Sequence, residues 1–259
     1  MTVFVLSPEG AHTSADAGGP VTPWWAILLP PTVGIALALA LPPRREALPA
    51  RVTSEPRWRA STIVLLGLAV AFPLVVGLLG LGGTDWYVLL KFALFLVVPA
   101  IVVAAVRGVR VDARRAGWRW WAPAVAVLAW FALAHLAPWV EPVTYDGYDI
   151  EFVIIAAVAT AITAGIGEEL FYRQWLQTRL EAGLGAWAGI AVTTVAFALM
   201  HLASHSTGQP LLDIATVLVS QGSFGLLAGI LWWRYRNLLA VIVMHLLSNG
   251  WSVLAYLLG

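Results

Sequence analysis

Three short stretches of this 259-residue chain combine the residue types that hydrolysis requires. Gly167-Glu168-Glu169-Leu170-Phe171-Tyr172-Arg173 sets two carboxyls side by side, with a guanidinium four residues after the second. Phe197-Ala198-Leu199-Met200-His201 ends in an imidazole, and His245-Leu246-Leu247-Ser248-Asn249 puts an imidazole and an amide four residues apart. On a helix, positions i and i+4 share a face. Glu169 therefore meets Arg173 in the favourable order, acid before base, and that pair can be purely structural. Glu168 is rotated by about 100° from Glu169 on an α-helix and cannot share the same partner in the same way. A carboxyl at membrane depth is either neutral or held by other polar groups, and in a cavity it is a candidate general base. His245 and Asn249 fall on one face and can converge on a single object. A base, two imidazoles and a neutral donor are what activation of a water and stabilisation of an oxyanion need.

Two mechanisms fit this inventory. In one, Glu168 and His201 activate a water while His245 and Asn249 donate to the tetrahedral intermediate, and no metal is required. In the other, His201, His245 and Glu168 bind Zn²⁺, whose water is the nucleophile. The His-Glu-x-x-His spacing of soluble zinc proteases is missing. A third zinc ligand would have to be Glu168, which removes the base, or Glu169, which takes it from Arg173. The metal-free alternative is the simpler expectation.

The elements that position these residues must be membrane helices. Hydrophobic residues make up 60% of the chain and charged residues 11%, against roughly 45–50% and about 25% in an ordinary soluble domain. Mean hydropathy is +0.83. These figures exclude a soluble globular protein and a disordered one, and a net charge of +1 gives no nucleic-acid footprint. With Cys 0 there is no disulfide, thiolate metal site or cysteine nucleophile. Apolar runs long enough for a bilayer core of about 30 Å fall at residues 24–41, 62–82, 86–106, 120–140, 152–171, 186–203, 211–233 and 238–258. The expectation is an all-α integral membrane protein with about eight transmembrane helices in one bundle. Residues 1–23 read as a disordered tail and not as a signal peptide, since they carry no Lys or Arg. Residues 24–259 then form the polytopic domain.

Arginines sort to alternate loops: Arg44, Arg45, Arg51, Arg57 and Arg59; Arg107, Arg110, Arg114, Arg115 and Arg119; Arg173 and Arg179; Arg234 and Arg236. The intervening loop at 141–151 is acidic, with Glu141, Asp146, Asp149 and Glu151. By the positive-inside rule the arginine loops are cytoplasmic and both termini lie outside. Lys91, the one basic residue outside those loops, is expected to snorkel toward the outer interface. Trp24, Trp25, Trp86, Trp120, Trp121, Trp139, Trp232 and Trp233 stand at span ends and read as interfacial anchors. His205 is expected in a solvated loop. Straight spans would leave His201 and His245 at different depths, so helix six must either begin well inside the cytoplasm, past the amphipathic stretch 174–181, or tilt strongly.

The ordered motifs Glu168-Glu169 with Arg173, Phe197 with His201, and His245 with Asn249 resemble the CPBP family of intramembrane proteases (CAAX proteases and bacteriocin-processing enzymes, also called Abi). Its pattern is E-E-x-x-x-R, then F-x-x-x-H, then H-x-x-x-N. The resemblance covers roughly residues 150–255, and spans one to four match it only in being hydrophobic. It implies peptide-bond hydrolysis, including removal of the C-terminal tripeptide from prenylated C-a-a-X substrates, with Glu169, Arg173 and Phe197 in orienting roles. The implied partners are the bilayer and a peptide substrate entering from the membrane or cytoplasmic side. Two other classes compete. A non-catalytic scaffold or immunity protein would reuse the fold without turnover, and a proton-coupled transporter would use the same Glu and His as a relay. A transporter would be expected to show paired repeats with broken helices, and none is visible.

Overall fold

Apolar runs of this length become helices because lipid offers no partner for backbone N–H and C=O groups, so each segment must satisfy its own. The structure, a computed structural model, describes residues 2–12, 21–43, 50–110, 121–204 and 207–258. Its helices are α1 (Thr2–Leu6), α2 (Trp24–Ala40), α3 (Glu55–Leu79), α4 (Asp85–Ala105), α5 (Trp121–Leu136), α6 (Ile150–Leu184), α7 (Ala186–Leu199), α8 (Pro210–Tyr235) and α9 (Leu238–Leu258). A short 3₁₀ turn, Leu202–Ser204, extends α7.

Eight apolar helices stand where the sequence places them. Among the described residues, six are long and apolar enough to cross a membrane: α3, α4, α6, α8, α9 and α7 with its 3₁₀ extension. The others, α2 with 17 residues and α5, are shorter. Pro30 and Pro31 are buried inside α2 without ending it, as neighbouring helices allow. Large apolar side chains such as Leu78 and Ile155 face outward, which suits lipid and would be a liability in water.

Two apolar clusters form the interior. One joins α2, α5, α8 and α9 through Ala38, Trp130, Leu227 and Met244. The other joins α3, α4, α6 and α7 through Leu65, Phe72, Phe95, Phe171, Tyr172 and Phe197. Phe224 packs against both and marks the seam between them.

Regular α-geometry is interrupted where the seam is lined. Residues Ala161–Gln177 of α6, Ala93–Val97 of α4 and Ala132–Leu136 of α5 are π-helical. Such wider turns are rare and cluster at functional sites. α6 runs unbroken from Ile150 through the amphipathic stretch to Leu184, and the chain reverses at Gly185, whose φ of 88° suits a residue without Cβ. The turn before α7 thus follows the amphipathic stretch 174–181 directly.

Several sequence expectations are corrected here. Ahead of α2, β1 (Ala11–His12) pairs antiparallel with β2 (Val21–Thr22), and Val3 and Ala11 bury against Trp24. This cluster packs against the first turns of α2 and α8 through Ile27, Leu212 and Ala215. A second ribbon, β3 (Arg51–Val52) with β4 (Val109–Arg110), ties together two of the arginine loops. Trp24 and Trp232 are packed inside, donating to the Ser7 carbonyl at 2.6 Å and to Thr178 Oγ1 at 3.1 Å. Arg173 and Arg179 are not loop residues but buried on α6, and Arg236 pairs with Glu181. Arg44, Arg45, Arg114, Arg115, Arg119, Trp120 and His205 lie outside the described residues.

Candidate functional site

At the seam, α6 presents Glu168, Glu169 and Arg173, all fully buried. The expected pair forms: Arg173 Nε lies 3.1 Å from Glu169 Oε2, even though the helix there is π and not α. The other oxygen of Glu169 accepts from His245 Nδ1 at 2.7 Å. Glu169 thus links a guanidinium on its own helix to an imidazole on α9, a contact between positions 76 residues apart that no local pattern encodes. With the carboxylate as acceptor, the Nδ1–H of His245 is the donor in this bond, and Nε2 is left facing away from Glu169.

His245 Nε2 faces the second carboxyl, lying 3.9 Å from Glu168 Oε2. That is beyond a direct hydrogen bond and suits a bridging water. The remaining oxygen, Glu168 Oε1, is ion-paired with the ammonium of Lys91 on α4. Lys91 is itself buried, so it does not snorkel: its ammonium finds a carboxylate inside the bundle. Neither oxygen of Glu168 has a well-directed hydrogen bond among the described residues.

Close helix approach makes this convergence achievable. A Cβ at Gly165 would stand 2.5 Å from Leu246 Cδ2, so glycine there lets α9 press against α6 and brings the neighbouring His245 to Glu169. Phe197 forms the floor. Its ring lies 4.8 Å from the Arg173 guanidinium carbon, a cation–π contact. It also touches both imidazoles, with centroids 5.1 Å from His201 and 6.1 Å from His245.

The structure therefore joins Arg173, Glu169 and His245 by direct polar contacts, sets Glu168 facing His245 across 3.9 Å, and brings in His201 through Phe197. His201 stands just past the end of α7, where its Nδ1 is 2.9 Å from the Phe197 carbonyl, and this bond sets the ring. Asn249 sits half-buried one turn beyond His245, with no side-chain hydrogen bond among the described residues.

The donor set does not suit a divalent metal. Each carboxylate is already opposed by a buried cation, Lys91 on Glu168 and Arg173 on Glu169. The nitrogen of His245 nearer Glu169 is committed to it. Among the described residues no three His, Asp or Glu side chains converge as metal ligands.

Sequence reasoning missed Lys91 as a site residue. The signal was present, since an ionisable residue inside an apolar span is a functional candidate by default. The snorkelling interpretation overrode it.

Residues 149–251 match the family described as Rce1-like, type II CAAX prenyl endopeptidase. Glu168, Glu169, Arg173, Phe197, His201, His245 and Asn249 all fall within the matched segment, and Lys91 falls outside it. Comparison with curated proteins and with solved structures gave no match.

Proposed function

We propose that this chain, with its Rce1-like segment over residues 149–251, is an intramembrane endopeptidase acting on membrane-associated or lipidated, C-a-a-X-like substrates through a water activated by Glu168. The observation that carries this reading is the facing of Glu168 Oε2 and His245 Nε2 across 3.9 Å. A water set to one side of the line joining them, about 2.8 Å from each, would bridge the two atoms. It would donate one O–H to each and keep a lone pair for a substrate carbonyl.

The proposed reaction then proceeds as follows. The water oxygen attacks the scissile carbonyl carbon while Glu168 takes its proton. His245, oriented by Glu169 with Arg173 behind it, steadies the water in the correct direction, as the third member of a hydrolytic triad orients its imidazole. Asn249 and His201 border the developing oxyanion and supply donors to it. The tetrahedral intermediate collapses, the C–N bond breaks, and the proton on Glu168 passes to the leaving amine. Every step uses groups of this chain, and no metal or other cofactor takes part.

The same reading places the substrate at the cytoplasmic side. Arg51 in β3, Arg57 and Arg59 in the first turns of α3, and Arg107 remain exposed, and the segment 141–151 exposes Asp146, Asp149 and Glu151. With α2 and α5 also crossing as short spans, the bias puts the former in the cytoplasm and both termini outside. Single cysteines introduced into this Cys 0 chain test it, and an external label on the Arg51–Arg59 or Arg107–Arg110 region would overturn it.

The functional test is turnover by purified protein in proteoliposomes, using a panel of quenched fluorescent peptides with and without a farnesylated C-a-a-X end. Wild type should cleave within the panel, chelators should leave the rate unchanged, and Glu168→Gln should lose about 10³-fold in rate. No turnover across the panel, or stoichiometric zinc in active protein that is lost with His201→Ala and His245→Ala, would sink this mechanism.

A further inference from the structure

We propose that Lys91 is a positioning residue for hydrolysis at this site, fixing the Glu168 carboxylate so that its second oxygen faces His245. The proposal rests on the assignment of Glu168 as the proton acceptor for the attacking water. It extends the site to α4, outside the segment that matches the family.

The argument begins with burial. Lys91 is 6% exposed and Glu168 0%, so the ion pair is removed from water. A buried ion pair contributes little net stability, and apolar residues of similar volume commonly serve a fold as well or better. Packing alone therefore does not call for an ammonium at position 91.

Geometry supplies a reason. The terminal torsion of a Glu side chain is broad, and a carboxylate held at one oxygen only can rotate away from its target. Here Oε1 is taken by Lys91 on α4 and Oε2 is turned to His245 Nε2 on α9. Two helices thus fix the plane of a group that belongs to a third. α4 is itself anchored for this task. Phe95, one turn after Lys91, packs its ring 4.7 Å from Phe171 and 5.5 Å from Tyr172, the residues that follow Glu168 on α6. The Tyr87 ring lies 5.4 Å from the ammonium, one turn before it.

Charge gives a second reason. Glu168 and Glu169 are adjacent and both fully buried, and like charges at such depth repel strongly. Arg173 answers one and Lys91 the other. Arg173 is also tied to Phe197, so Lys91 is the cation dedicated to Glu168.

The experiment compares wild type with Lys91→Met and Lys91→Gln in proteoliposomes, using the peptide panel above, with melting used to correct for the folded fraction. Lys91→Gln keeps an N–H donor without the charge and guards against misfolding of the Met variant. For either variant kcat should fall by about 10²-fold with KM within about twofold, as expected when a catalytic group is misplaced and not when binding is lost. Ethylammonium should restore rate to Lys91→Ala in a saturable way, which a purely structural lysine would not permit. Wild-type kcat per folded molecule in Lys91→Met or Lys91→Gln, or no rescue of Lys91→Ala, overturns the inference alone. An inactive wild-type protein overturns the protease reading and this inference together.

Discussion

Glu168 and Glu181 are both buried carboxylates on α6, and each faces a cation from another helix. Their surroundings differ in kind. Both oxygens of Glu181 are bonded: Oε1 accepts from Gln177 Nε2 at 2.8 Å, and Oε2 pairs with Arg236 at the end of α8. Gln177 Nε2 also donates to the Gly229 carbonyl at 2.8 Å, and Thr178 joins the Arg173 carbonyl to Trp232. Glycines close this cluster further. A Cβ at Gly189 would stand 2.8 Å from the Glu181 backbone, and one at Gly229 would stand 3.2 Å from Gln177 Oε1. Little space is left for a ligand. At Glu168, by contrast, one oxygen is held by charge and the other looks across 3.9 Å at an imidazole nitrogen. A carboxylate with its bonds filled locks a helix junction, and one left with an acceptor partner is poised to take a proton from something placed between them.

The largest effect expected from this contrast is kinetic. Glu168→Gln should lower kcat by about 10³-fold, whereas Glu181→Gln should leave kcat per folded molecule at the wild-type value. Equal kinetic losses in the two variants would erase the distinction between the clusters.

Stability should rank differently. Arg173→Ala strands Glu169 in the interior and should cost about 3–5 kcal/mol, read as a fall of the melting temperature in detergent together with lost activity. Unchanged melting with lost activity would move Arg173 from a supporting role to a substrate-binding one. Glu181→Gln should be milder, about 1–3 kcal/mol, because Arg236 loses its charge partner but keeps the face of Trp232 at 5.4 Å. The smallest effect belongs to Trp58→Phe, which removes one hydrogen bond from Trp58 Nε1 to the Arg179 carbonyl at 2.8 Å. It should cost about 0.5–1.5 kcal/mol and change no kinetic constant. A kinetic defect there would mean that the inert cluster is coupled to the reactive one.

Some of this was legible locally. Apolar run length and the breaks between runs placed eight helices near their observed positions, because a membrane-embedded backbone has few alternatives. The Glu169–Arg173 pair follows from i, i+4 spacing, which survives the change from α to π winding. The packing of Val3 and Ala11 against Trp24 was not legible, because it is a contact between positions well apart in a polar stretch whose composition carries no periodic signal. Nor could charge sorting reveal that Arg173 and Arg179 are interior residues, since a helix that continues past its apolar run looks like a loop in composition.

What the sequence determined by itself is the chemical inventory: Glu168, Glu169, Arg173, His201, His245 and Asn249 announce their types and helical spacings. What only the tertiary structure decided is which atoms meet. Glu169 and not Glu168 accepts the hydrogen bond from His245 Nδ1, and Lys91 turns inward to Glu168 instead of outward to water. The physical reason is that spacing fixes the face of one helix, while contact between helices depends on their depth, rotation and closeness of approach. Those are set by packing at positions such as Gly165, Phe95 and Phe197, far in sequence from the polar atoms they bring together.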